Sequence, residues 1–318
     1  MGHGMQFGDR IGRRMKLHDI HVFMAVVQVG SMGKAATLLN TTQSAVSRSI
    51  ADLEGTVGAR LLDRSPLGVA PTQYGRALLK RSTIVFDELK QSIKDIEYLS
   101  DPGAGELCIG GGVPHAHGII LAILDRLSRQ YPRSALQVVI AGTLELHDAL
   151  RERRIELAFT RMAQSIPPED MDQEVLFEDP HIVVVGAQNP WARRRKVTLA
   201  ELVNEPWTWP SPGSLVDSIV VDAFRANGLK PIRAAIYVED PNLRIKLAAT
   251  GRFLAIVPAS TQRFHEKRAS IKVLPVELLT PHRQTGIITL KNRTLSPLAQ
   301  RFIDVAREVA KPLAKRKV

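Results

Sequence analysis

Cysteine is almost absent: Cys108 is the single one in 318 residues. That excludes an intramolecular disulfide and any metal site built on clustered cysteines. Its neighbours Leu107 and Ile109 are apolar, which suits a buried, inert thiol better than a nucleophile. No apolar run reaches the length of a transmembrane helix. The opening Met1 to Lys16 holds Gly, His and Arg but no apolar core, which excludes a secretory signal. It reads as a disordered leader, with Met1, Met5 and Met15 as alternative starts and the cytoplasm as the expected location. There is no Gly-x-Ser-x-Gly elbow for a Ser/His/Asp hydrolase. Internal repeats and low-complexity blocks are also missing, apart from a basic end, Lys315-Arg316-Lys317, that reads as a solvated tail.

What is present is a chain long enough for two or three domains. Its 44% hydrophobic and 24% charged residues suit a well-cored protein rather than a disordered one. A formal charge of +11 favours a polyanionic partner. The charge is dispersed, however, since residues 1–100 hold 13 Lys/Arg against 9 Asp/Glu. Basicity alone does not locate a binding face.

Between Leu17 and Val29, the residues Leu17, Ile20, Phe23, Met24 and Val27 recur at helical spacing. Gly30 ends this helix and Ser31 caps the next, whose core positions are Ala35, Ala36, Leu38 and Leu39. Asn40-Thr41-Thr42 forms a tight turn and the following N-cap. A third helix runs from about Gln43 to Val57 and is expected to bury Ala45, Val46, Ile50, Leu53 and Val57. Its opposite face presents Gln43, Ser44, Ser47, Arg48 and Asp52. Arg pairs bidentately with guanine, Gln with adenine, and Ser adapts to either, so this face has base-reading chemistry. Periodicity alone fits equally well a three-helix bundle with a solvated polar face.

Leu61 to Thr72 then reads as two short extended pieces about a Pro/Gly turn, a β-wing with Arg64 near its tip. Thr72 caps a long helix whose apolar residues Tyr74, Leu78, Val85, Leu89, Ile93, Ile96 and Leu99 form a narrow stripe, which suits a helix that pairs in a coiled coil, with a helix packed on its own domain as the plain alternative. Pro102 and Gly103 break it.

Ala35-Ala36, Gln43 to Arg48, Leu53-Glu54, Gly58, Leu61-Leu62, Arg64 and Thr72…Gly75 together resemble the winged helix-turn-helix signature of LysR-type transcriptional regulators. Gly33-Lys34 and Gly55-Thr56-Val57 depart from the family's wording, which bears on base preference rather than fold. The resemblance implies major-groove contacts from Gln43, Ser44, Ser47 and Arg48, with Ser31, Thr41, Thr42, Arg64 and Thr72 positioning the module on the backbone. It further implies double-stranded promoter DNA as partner, a homodimer or homotetramer built on paired linker helices and paired effector domains, and contacts to RNA polymerase; with no long apolar segment, no membrane partner is expected.

Beyond Glu106 strand and helix patterns alternate, which argues a parallel α/β sheet. Ser165 to Asp170, with Pro167-Pro168, reads as a hinge into a second lobe holding strands near Glu174–Phe177, His181–Val185, Ile236–Glu239 and Phe253–Val257. Two such lobes, and the run Gly251 to Pro258, resemble the periplasmic-binding-protein-like effector domain of the same family. The expected fold is therefore α/β with a helix-rich N-terminal winged helix-turn-helix. Its divisions are a leader 1–15, the DNA-binding domain 16–73, a linker helix 74–100 and an effector domain 106–318. Within the last, lobe I comprises 106–166 and 268–318, and lobe II comprises 167–267.

In open α/β sheets ligands sit at the carboxyl ends of strands, against helix N-termini. Candidate loops supply Pro114, His115, Thr143, Arg161, Ser211 and Gly213, a set suited to a small anionic effector with Arg161 on its carboxylate. Arg161 as a surface ion pair near the hinge is the plain alternative. Gly110-Gly111-Gly112 lacks the Gly-Lys-Ser/Thr ending of a phosphate loop, and His115-x-His117 lacks a third ligand. No cofactor, metal or catalytic residue is expected. Two rival readings are an enzyme carrying a DNA-binding head and a ligand-independent DNA-binding protein.

Overall fold

The computed structural model describes residues 14–66, 68–162, 168–264, 270–279 and 283–314. The leader up to residue 13, the first half of the expected hinge (Ser165–Pro167) and the basic tail from Lys315 lie outside these residues. No helix among the described residues is long and apolar enough to cross a membrane. The chain divides into two compact units between Lys90 and Gln91.

The first unit opens with α1 (Leu17–Val29), α2 (Met32–Leu38) and α3 (Gln43–Val57), followed by β1 (Leu62–Ser65), β2 (Gly68–Pro71) and the start of α4 (Gln73–Ser100). Gly30 ends α1 in the left-handed conformation at φ 66°, which costs a residue without a side chain little. The Ser31 hydroxyl accepts from the Lys34 N–H at 3.4 Å, and that of Thr42 accepts from the Ala45 N–H at 3.2 Å, so each helix starts on a side-chain cap. Phe23, Val26, Met32, Ala35, Ala36, Val46, Ile50 and Leu53 form the core, closed by Leu61 and Leu62 from the wing. Three expected core residues face outward instead: Leu17 and Leu38 are exposed, and so is Ala45, at the N-terminal turn of α3. The buried stripe of α1 is Ile20, Val22, Phe23, Ala25 and Val26. Gly75 permits a close crossing, because a Cβ there would lie 2.1 Å from the Leu61 carbonyl oxygen.

The second unit holds two mixed sheets. The first orders β4 (Arg133–Ala141), β3 (Ala104–Gly112), β5 (Leu157–Arg161), β12 (Gln284–Leu290) and β6 (Met171–Glu178). β3 is parallel to β4 and β5, whereas β12 runs antiparallel to both β5 and β6. The second orders β11 (Ile271–Val273), β7 (His181–Gly186), β10 (Leu254–Pro258), β8 (Trp207–Trp209) and β9 (Ile236–Tyr237). There β7 lies antiparallel to β10 and β11, while β8 is parallel to β9 and β10. The parallel arrangement expected from the alternating pattern after Glu106 thus holds for β3, β4 and β5, while β12 in the first sheet and β7 in the second add antiparallel pairings. The hinge is corrected: β6, assigned from the sequence to the second lobe, pairs within the first sheet. The chain crosses to the second sheet at Asp179-Pro180 and returns between Val273 and Gln284.

Helices cover both faces of each sheet, which is why the inner strands are apolar throughout. α5 (Leu121–Gln130) and α10 (Pro297–Ala314) pack on one face of the first sheet, and α6 (Thr143–Arg151) on the other. In the second sheet α7 (Leu215–Ala226) covers one face and α8 (Pro241–Ala249) the other. The short α9 (Ala259–Arg263) follows β10. The helix expected from Ala116 begins irregularly, as a 3-10 turn Val113–His115 and a π turn Ala116–Ile120, before α5. Gly110 to Gly112 lie inside β3, where Cβ atoms would strike Ile155, Ile120 and the Thr160 hydroxyl within 2.7 Å. They are packing glycines.

Candidate nucleic-acid interface and effector cleft

On α3 the polar face stands clear of the core. Gln43, Ser44, Arg48 and Asp52 are exposed and Ser47 is half-buried, one turn from the cap. The Thr42 hydroxyl lies 3.0 Å from that of Ser44 while also receiving the Ala45 N–H, so the start of the helix is held rigid. Thr41 is exposed beside it. Arg64 projects from the wing, exposed, opposite Val69 in the β1–β2 register. Thr72, placed from the sequence among the backbone contacts, instead ties the wing to α4. Its hydroxyl donates to the Arg60 carbonyl at 2.7 Å and accepts from the Gly75 N–H at 3.1 Å. Ser31 is likewise a helix cap, though its O–H keeps a proton to donate.

Between the two sheets of the second unit lies a cleft of about 470 Å³. Pro114, Thr143 and Arg161 line it, as do Leu144, His147, Val216, Ile219, Glu239, Arg244 and Arg283. Three expected residues do not. His115 is only 1% exposed, its ring edge-on to Phe159 at 5.5 Å and its Nε2 3.8 Å from Asp179. It belongs to the junction behind the cleft. The Ser211 N–H donates to Glu239 at 3.2 Å, and the Gly213 N–H to Asp217 at 2.9 Å; neither residue lines the cleft. A loop before a helix has the sequence of a ligand loop, but its N–H groups are taken by carboxylates of its own lobe.

Arg161 is no surface ion pair. It is 8% exposed, its Nη2 donates to His181 Nε2 at 3.5 Å, and its Nε has no partner. Arg244, from α8, is 1% exposed; its Nη1 donates to the Ile256 carbonyl at 2.9 Å and its Nε is unpartnered. The Nε of Arg283 is buried without a partner as well. Burial pulls all three guanidinium pKa values down, that of Arg244 to about 10, with Glu239 opposing the shift there. Burial, then the charge of Arg161, depresses His181 to about 3, so its ring is neutral. An arginine only donates, so His181 Nε2 accepts and Nδ1 carries the proton. Asp179, buried at the crossing, is held below its ordinary value even though burial acts to raise it. The His115 ring and two bonds from Ser260, at 2.9 and 2.5 Å, outweigh that penalty. Arg244, Arg283, His181 and Asp179 are absent from the set expected from sequence. An arginine in a helix pattern looks like a solvated one, and only the tertiary fold buries it.

Residues 17–76 match the model of the bacterial regulatory helix-turn-helix proteins of the lysR family, and residues 100–311 match the LysR substrate binding domain. The chain belongs to the LysR family. As a LysR-type protein it is a DNA-binding transcriptional regulator with a small-molecule binding domain, which gives the polar face of α3 and the inter-sheet cleft their context. It is 24% identical over 304 residues to the HTH-type transcriptional regulator GbpR of Azospirillum brasilense, covering 95% of this chain and 89% of that protein. Full-length OxyR from Pseudomonas aeruginosa shares the fold at a TM-score of 0.67 and 20% identity, over 96% of this chain and 99% of that one. The LysR regulator CbnR in complex with its target DNA gives a TM-score of 0.51 at 22% identity, over 93% and 100% of the two chains.

Proposed function

We propose that this regulator reads an interrupted palindromic promoter site as a homodimer or homotetramer, and that an anionic metabolite in the cleft sets its output. The observation that carries the reading is α3, which buries Val46, Ile50 and Leu53 while Gln43, Ser44 and Arg48 stand exposed at a capped N-terminus. Gln43, Ser44, Ser47 and Arg48 contact bases or adjoining phosphates; Ser31, Thr41, Thr42 and Arg64 hold the module on the backbone. CbnR, a relative by fold, has been solved on its target DNA. Pairing falls to α4, whose Val85, Leu89, Ile93, Ile96 and Leu99 are exposed at helical spacing.

Arg161 takes the acid group of the effector, with Pro114 and Thr143 beside it. Closure of the two sheets about the crossing at Asp179-Pro180 changes how the effector domains pack. That repacking respaces the DNA-reading heads, and contacts to RNA polymerase convert it into altered transcription. The half-buried Lys94 pairs with the buried Glu156 and so joins the end of α4 to the loop entering β5, the strand that carries Thr160 and Arg161 into the cleft. The protein has no catalytic activity in this reading and acts in the cytoplasm. Selection of bound fragments from sheared genomic DNA tests it. The expected result is a dyad-symmetric site with half-sites one or more helical turns apart; recovery of unrelated fragments would reject it.

A further inference from the structure

Resting on the reading of the cleft as the effector site, we propose that the ligand is an organic acid with an apolar body, its carboxylate shared between Arg161 of the first lobe and Arg244 of the second. Both guanidinium groups are more than nine-tenths buried, both line the cleft, and each keeps an Nε–H without a partner. A buried, unmet donor on a charged group is costly, and the cost is removed when an anion enters. Among the described residues neither arginine has a carboxylate within ion-pair distance. Asp179 is engaged by Ser260 and faces His115, and Glu239, though it lines the cleft, is exposed and receives the Ser211 N–H. Asp240 caps α8 through the Asn242 N–H at 2.9 Å. The cleft therefore presents fixed cations from both lobes and lacks a protein anion seated on them.

The remaining walls decide what the anion is attached to. Leu144, Met162, Val216, Ile219 and Pro241 contribute apolar surface, and the Thr143 and Thr160 hydroxyls lie 3.2 Å apart, satisfying one another. A phosphate or a sugar acid would leave most of its hydroxyls or oxygens against carbon. A carboxylate on an alkyl or aryl body satisfies both ends of the cleft, whose 470 Å³ lies within the range of about 300–1,000 Å³ usual for small-molecule sites. Because the two arginines come from opposite lobes, the same carboxylate also draws the lobes together.

The test uses the full-length protein and matched probes in calorimetry: sodium hexanoate and sodium phenylacetate, their neutral amides hexanamide and phenylacetamide, and inorganic phosphate. The two acids should bind at about millimolar concentration or better, and at least about tenfold more tightly than amides or phosphate. Arg244→Lys keeps the charge but loses the planar donor fork, and should weaken the acids about tenfold while leaving amide binding unchanged. Amides or phosphate binding as tightly as the acids, or no acid binding at all, would overturn the assignment. That comparison needs only the wild-type chain, so it decides even if Arg244→Lys does not fold. Val216→Trp, which fills the cleft, separates the two claims. Acids binding this variant unchanged would refute the cleft as the site. Amides bound by the wild type and lost in Val216→Trp would keep the cleft and refute the acid class.

Discussion

His181 offers a quantitative check on the electrostatics of the cleft. It is buried at the start of β7, with Arg161 donating to its Nε2 and with Asp179, Arg244 and Arg283 in electrostatic reach. Burial first, and Arg161 second, hold its folded pKa at about 3 against 6.5 for the free side chain. The sign follows directly. Below 6.5 the unfolded chain binds a proton at this residue that the native chain refuses, so stability is complete above that pH and falls as pH drops toward 3. At 1.36 kcal/mol per pH unit the loss by pH 5 is roughly 2 kcal/mol. His181→Gln offers Arg161 an amide oxygen in place of Nε2 and removes the titration. The three tryptophans, Trp191, Trp207 and Trp209, all belong to the second lobe, as does His181. Urea unfolding followed by their fluorescence at pH 7.5 and 5.0 therefore reports the relevant unit. The wild type should lose roughly 2 kcal/mol more than the variant between these pH values. His115, which burial also depresses, contributes to both proteins and cancels in the difference. Equal losses would show that His181 is not held neutral by its surroundings, and the charge assignment of the cleft would fall with it.

Two further outcomes follow from packing. Ile93, 57% exposed in the middle of the α4 stripe, should when changed to Glu convert the oligomer to monomer in light scattering without lowering the helical content of the chain; an unchanged mass would show that α4 is not the pairing surface. Gly75→Ala sets a Cβ against the Leu61 carbonyl oxygen at 2.1 Å and should destabilise the DNA-binding unit by about 1–3 kcal/mol, visible as a lower melting temperature with the second lobe's tryptophan transition unmoved. A melting temperature equal to the wild type's would mean the α4–wing crossing can relax.

The N-terminal unit is the more legible part of the chain because its determinants are local. Gly30, Ser31, Thr42 and Thr72 announce helix ends through capping chemistry that acts within a turn. The errors there concern which side of a helix faces the core. Leu17, Leu38 and Ala45 are apolar and correctly spaced, yet they sit in the terminal turns of their helices and stay exposed. The effector domain depends on distant pairing. Pro167-Pro168 reads as a hinge because a proline pair breaks any local pattern, but β6 beyond it returns to β12, more than a hundred residues later. In the cleft, Arg161 is visible at the end of a strand pattern. Arg244 and Arg283 are not, since nothing local separates a buried arginine from a solvated one, and the contact that buries Arg244 is the carbonyl of Ile256. Ser211 and Gly213 fail for the opposite reason. Their loop has the wording of a ligand site, and its donors are consumed by Glu239 and Asp217.

Sequence reading by the N-terminal turns of α3, with the wing only gripping the duplex, is the claim on which the rest depends. Fluorescence anisotropy on the selected site and on a scrambled duplex, across a series of salt concentrations, tests it with two variants. Arg48→Ala should lose about 1–3 kcal/mol on the selected site and little on the scrambled one, relaxing a single position of the sequence. Arg64→Ala should weaken both duplexes alike and reduce the salt slope by about one. If the two variants instead lose the same affinity on both duplexes, α3 is not the reader.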